Sequence, residues 1–160
     1  MTLDDQVILE WKNKNTLEIS GPIDASFEED QDLKKAPNAF YLDLKGITRI
    51  NSSGVRQWVR FIQSLDKKKV CYINVSCPVV EQFSMVSEFI GKYNTVKSFN
   101  ARYVCNNCNS TEICNIIVGK DLFSRVCVKQ RKGDTNKKND FSCDFFFTLS
   151  PRSLSPFFAL

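Results

Sequence analysis

Apolar and polar positions change their spacing along this chain, and the changes mark out elements. Val7 to Trp11 is a short apolar run, and Thr16 to Ser20 alternates with Leu17 and Ile19 on one face. Asn13-Lys14-Asn15 between them has turn chemistry, so the pair predicts a β-hairpin ended by Gly21-Pro22. Ser26 followed by Glu29 matches a capping box and predicts a short polar helix over Phe27 to Lys35, broken by Ala36-Pro37-Asn38. Ala39 to Leu44 is nearly continuously apolar, as expected of a central strand, and Lys45 to Asn51 reads as a loop anchored by Ile47 and Ile50. From about Ser52 to Leu65 the period becomes helical, with Val55, Trp58, Val59, Ile62 and Leu65 on one face. After Lys67-Lys68-Lys69, Val70 to Val75 predicts another strand. Pro78 suits the first position of a third helix whose face is Val79, Val80, Phe83, Val86 and Ile90, with Gly91 at its C′ position. Thr95 to Phe99 predicts a last strand.

The order β-β-α-β-α-β-α-β implies an α/β fold: a mixed sheet of four to five strands with a parallel portion and the helices on one face. The expected core is Leu17, Ile19, Leu42, Leu44, Val55, Trp58, Val59, Ile62, Val70, Ile73, Val80 and Phe83.

The 160 residues carry no histidine, which excludes Ser-His-Asp and Cys-His catalysis and histidine metal ligands. The first residues lack the basic start of a secretory signal, and no apolar run reaches the ~20 residues of a membrane span, so a cytoplasmic, reducing location is expected. The net charge of +4 is unevenly placed. Up to Asn100 there are thirteen basic and thirteen acidic residues, and beyond it nine against five. Five of the seven cysteines also lie beyond residue 100. The expected division is therefore 1–100 as one domain, 101–149 as a small cysteine-containing extension, and 150–160 as an unstructured tail with Pro151 and Pro156. Cys71 and Cys77 in the first part read as small apolar residues rather than reactive thiols.

Three segments, taken in order, carry a resemblance: Leu17 to Asp24 (LEISGPID), Tyr41 to Gly54 (YLDLKGITRINSSG), and Pro78 opening an amphipathic helix. Over roughly residues 5 to 100 the chain resembles a STAS domain, the fold of anti-sigma-factor antagonists and of the cytosolic tails of sulfate transporters. The resemblance implies a non-enzymatic module that binds a regulatory protein, typically an anti-sigma factor that is also a serine kinase. The implied contact surface is the loop before the second helix and that helix itself. In the family motif Asp-Ser-Ser/Thr-Gly the hydroxyl residue after the Asp accepts phosphate, which here is Ser52; Asn51 stands where the family has Asp. Ser53, Gly54, Arg56 and Arg60 complete the implied contact surface. Asp24 either braces the loop beside Ser52 or caps an ordinary turn. Asn51, Ser52 and Ser53 can be a phosphoswitch, an unmodified contact loop, or no more than a helix start. Arg56 and Arg60 form either a solvated ridge or a complement to acidic groups. Asp43 reads as an ordinary exposed strand residue.

Arg102 to Asn109 contains Cys105-x-x-Cys108 and resembles the first knuckle of a zinc ribbon. A structural zinc would need two further thiols from Cys114, Cys127 and Cys143, with Cys127 and Cys143 the selected pair. Ile116 to Val118 and Arg125 to Lys129 suggest a small hairpin, and Phe141 to Leu149 a strand. Lys129 to Lys138 is basic but holds no aromatic residue, so it reads as a solvated loop rather than a nucleic-acid platform. Two other function classes compete with the regulatory one. A small-ligand or nucleotide-binding module lacks a glycine-rich phosphate cradle, and a Cys105/Cys108 redox protein lacks the flanking strand and helix.

Overall fold

The computed structural model describes residues 6–28, 33, 35–105, 109–120, 130–131 and 143–147. Strand β1 (Ile8–Asn13) turns through Lys14 and Asn15 into β2 (Thr16–Ile23), and the two pair antiparallel. Strand β3 (Ala39–Ile50) joins β2 in parallel, helix α1 (Ser52–Ser64) follows, and β4 (Lys69–Ile73) joins β3 in parallel. Helix α2 (Cys77–Met85) and a single 3₁₀ turn (Ser87–Phe89) lead to β5 (Thr95–Val96), parallel to β4. The result is a mixed five-stranded sheet of order β1-β2-β3-β4-β5, an α/β fold.

Residue parity decides what this sheet buries. Trp11, Leu17, Leu42, Tyr72 and Val96 are successive cross-strand partners over all five strands and point to one side. Leu17, Leu42 and Tyr72 are buried against α1 and α2. The next row, Thr16, Tyr41, Cys71 and Thr95, points to the other side and is exposed or half-buried. Ile73 shares that second face and is half-buried, not core as expected.

An aromatic pile fixes the helices. Trp58 stacks on Phe89 with ring centres 5.3 Å apart, and its Nε1–H donates to the Phe89 carbonyl at 2.9 Å. Phe61 meets Phe27 edge-on at 5.3 Å, and Phe83 meets both Phe89 and Tyr72. Two expectations are corrected by these contacts. The buried face of α1 is Trp58, Phe61, Ile62 and Leu65, with Val55 and Val59 only half-buried, because Phe27 packs on the flank and draws Phe61 inward. Helix α2 ends a turn before Gly91, because Phe89 lies off its apolar stripe and reaches Trp58 only if the helix breaks at Val86.

Two boundaries also moved. Gly21 and Pro22 lie inside β2 rather than ending it, and the expected loop Lys45 to Asn51 is mostly the second half of β3, paired through Ser20–Gly46, Gly21–Ile47 and Ile23–Ile50. The stretch expected as a polar helix begins as a turn, with Phe27 N–H bonded to the Asp24 carbonyl, and Leu33 and Lys35 are 3₁₀. Residues 29–32 and 34 lie outside the described set.

Strand β6 (Ser98–Cys105) continues from β5 and first bonds Val75, then pairs antiparallel with β7 (Thr111–Ile117). Short strands β8 (Gln130–Arg131) and β9 (Cys143–Phe147) complete a second sheet of order β7-β6-β9-β8. Residue 100, where charge and cysteine usage change, thus lies inside a strand, and Phe99, Ala101 and Ile116 are buried in the common core. Ile116 and Ile117 of the expected hairpin lie in β7, which pairs with β6, and its other arm, residues 125–129, lies outside the described set.

Trp58→Ala is expected to cost about 3–5 kcal/mol in chemical denaturation, because it removes the centre of the pile and orphans the Phe89 carbonyl. A loss below about 1 kcal/mol would show that the pile does not hold the helices.

Candidate functional site

The parallel strands β2 and β3 end side by side at Ile23 and Ile50, and the chain turns there into α1. Asn51 N–H donates to the Ile23 carbonyl at 3.2 Å, and the Asn51 side chain accepts from Gly54 N–H at 2.8 Å, capping the helix. The first turn of α1 rests directly on the β2 end: a Cβ at Gly54 would fall 2.0 Å from the Ile23 oxygen and 2.9 Å from the Asp24 nitrogen. Only glycine allows this approach. It leaves Asn51 and Ser52 exposed, Ser53 half-buried and Gly54 buried.

Arg56 and Arg60 are exposed and follow Ser52 at four-residue steps, so the three lie along one solvent-facing row of α1. The first turn of α1 contains no acidic residue. Asp24, whose backbone nitrogen lies beside Gly54, has its side chain committed elsewhere. One of its oxygens accepts from the Ser26 hydroxyl at 2.6 Å and from Ser26 N–H at 2.9 Å. These bonds, helped by the charge of Arg49, hold its pKa below the ordinary value. The N-terminal end of α1 carries the positive end of the helix dipole, with the Arg56 and Arg60 guanidinium groups one and two turns along.

The site residues expected from sequence thus fall into two groups. Asn51, Ser52, Ser53, Gly54, Arg56 and Arg60 are together at the start of α1, and Asp24 touches them through its backbone while its side chain braces its own turn. Asp43 is buried rather than exposed: it accepts from Lys45 N–H at 3.1 Å and from Asn74 Nδ2 at 3.0 Å. Cys77 donates its thiol proton to the Asn100 carbonyl at 3.4 Å, and burial raises its pKa. Of the candidate zinc ligands, Cys108 and Cys127 lie outside the described residues, as do the side chains of Cys105 and Cys143. The backbone puts Cys105 opposite Phe145, so Cys143 lies two positions away along the neighbouring strand. Among the described residues no group of three or more Cys, Asp or Glu is placed to hold a metal.

No family model, curated protein or solved structure matches the chain.

The alignment of Ser52 with Arg56 and Arg60 was available from their spacing, whereas the part of Arg49 was not, because Arg49 lies in the stretch expected to be a loop. Asn51→Ala is expected to cost ~0.5–2 kcal/mol, and Asn51→Asp to be near neutral, since both Asn and Asp cap. Gly54→Ala is expected to cost at least the ~1–3 kcal/mol of an overpacked site, because the clash is with backbone. Equal stability of wild type and Gly54→Ala in urea would contradict the close approach.

Asp24 gives a pH test with a definite sign. Its folded pKa is below the unfolded value, so its contribution is present above the ordinary carboxylate range and lost as pH falls through the folded pKa. The stability advantage of wild type over Asp24→Asn should therefore hold above about pH 5 and shrink as the pH falls through the ordinary carboxylate value and below it. An advantage that grows on acidification would contradict it.

Proposed function

We propose that this chain is a STAS-like regulatory module that acts by binding a protein through the start of α1, and that phosphorylation of Ser52 switches the contact. The carrying observation is the position of Ser52: exposed, at the first turn of a helix whose cap is supplied by a different residue, Asn51. A modified Ser52 would therefore take nothing from the cap. The mixed sheet order, with β1 antiparallel and the remaining strands parallel, supports the family reading.

The energetics favour a switch that leaves the fold intact. A phosphate at Ser52 adds about −1.5 to −2 charges. The helix dipole favours it by ~0.3–1 kcal/mol. Arg56, one turn along, is an i,i+4 partner in the better orientation, acid before base. The same charge would invert the potential of a surface that otherwise presents Arg56 and Arg60. A partner contacting that row through acidic groups would meet repulsion in place of attraction. Asn51 in place of Asp fits this arrangement, because it caps the helix without placing a negative charge beside the acceptor. Binding rather than turnover is the proposed activity, with a serine kinase or an anti-sigma-like regulator as the class of partner.

Affinity capture with wild type, Ser52→Ala, Ser52→Asp and Arg56→Glu as baits tests the proposal, read by quantitative mass spectrometry beside thermal unfolding. Wild type and Ser52→Ala are expected to hold the same protein. Ser52→Asp and Arg56→Glu are expected to weaken that contact about 10-fold or more while unfolding at nearly the wild-type temperature. Equal capture by all four baits, or unfolding of Ser52→Asp, would overturn it.

A further inference from the structure

The side of the first sheet away from α1 and α2 carries no covering element among the described residues, and its chemistry differs from that of the Ser52 end. Two clefts of about 420 and 270 Å³ lie on it and share one wall, the Tyr41 ring. Tyr41 lies in the cross-strand row Thr16–Tyr41–Cys71–Thr95, and Tyr93 also lines the smaller cleft. Lys97 lines the larger cleft and Lys69 the smaller, and among the described residues no carboxylate lines either. The Lys97 ammonium sits over the Tyr41 ring, 5.3 Å from its centre. The acids closest to this region of the sheet face are already engaged. Asp43 is held by Asn74 and Lys45, and Glu18 lies between Lys12 at 3.6 Å and Lys45 at 3.4 Å. Among the described residues neither Lys69 nor Lys97 has a carboxylate partner.

We propose that this open sheet face binds single-stranded nucleic acid, with Tyr41 as a stacking platform and Lys97 and Lys69 meeting the phosphates. The proposal is independent of the Ser52 switch, which uses the opposite layer and a different charge pattern. A base stacking on Tyr41 takes the place of the Lys97 ammonium over the ring, and the ammonium moves to the phosphate. Exposed aromatic rings beside cations that have no carboxylate partner among the described residues are the elements that hold a flexible polyanion of planar bases. From β3 across β4 and the β5–β6 strand to β7 is three strand spacings, about 14 Å, which is room for more than one nucleotide. A duplex keeps its base faces inside the stack and cannot use the Tyr41 ring. Base identity is not read: Asn74 and Asn115, the amides lining the larger cleft, donate to Asp43 and Asn100. This platform lies far in sequence from the basic stretch Lys129 to Lys138, which offers charge without rings.

Fluorescence anisotropy of the full chain with a labelled mixed-sequence strand of about ten nucleotides, RNA and DNA in parallel, tests the proposal, with duplex DNA and AMP as competitors. Saturable, salt-sensitive binding is expected, competed weakly by duplex and by AMP. Tyr41→Ala preserves net charge and is expected to weaken binding about 5- to 150-fold, with Tyr41→Phe restoring it. Lys97→Gln is expected to reduce the slope of log affinity against log salt by about 0.7. Should Tyr41→Ala fail to fold, Lys97→Gln and Tyr93→Ala give the same comparison. The proposal is overturned by absence of saturable binding, by equal affinity for duplex, by AMP displacing the strand as well per nucleotide, or by folded platform variants that bind as wild type does.

Discussion

The start of α1 is pressed onto the end of β2, and the rest of the arrangement follows from that contact. With no Cβ at Gly54, the first helical turn comes close enough to the Ile23 carbonyl that any other side chain would collide with it. The Ile23 oxygen accepts from Asn51 N–H, which fixes where the helix begins. From that point the helical period places Trp58, Phe61 and Ile62 over the sheet and Ser52, Arg56 and Arg60 in solvent. The exposed row and the buried stripe are two sides of one constraint.

The sheet divides the molecule's chemistry in the same way. One parity of residues builds a buried aromatic layer beneath two helices that includes Tyr72, whose hydroxyl donates to the Ile90 carbonyl at 2.7 Å. The other parity leaves a face of tyrosines, lysines and engaged carboxylates. The hydrogen bonds from Asn74 to Asp43, and from Asn115 to Asn74 at 3.4 Å, carry that face across from the first sheet to the second. The β5–β6 strand joins the two sheets, because Val75 bonds Ser98 and Asn100 before β6 turns to pair with β7.

Much of this was legible in the sequence, where period and parity were unambiguous. Leu17, Ile19, Leu42 and Leu44 alternate, and α1 has a helical stripe, so the α/β class, the parallel portion of the sheet and the position of Ser52 followed. What was not legible required knowledge of neighbours. Gly21-Pro22 has the composition of a strand end, yet it is carried through as strand because β3 lies alongside to pair with it. Phe61 lies outside the expected stripe, and it is buried where Phe27 packs on it from a different element. Helix α2 had the pattern to continue to Gly91, and only the stacking of Phe89 on Trp58 explains its early end. Asp43 looked solvated because its partner, Asn74, is thirty-one residues away. The open face was missed for a related reason: Tyr41, Lys69, Tyr93 and Lys97 form no motif and meet only across the sheet.

The central claim is that Ser52, set out in solvent by the Gly54 contact, is the regulated point of a protein-binding surface. Phosphosite mapping of the protein recovered from its own cells, separated into partner-bound and free fractions, tests this most directly. The account predicts phosphate on Ser52 in the free fraction and its depletion from the bound fraction. Equal occupancy in the two fractions, or phosphate confined to other residues, would contradict it.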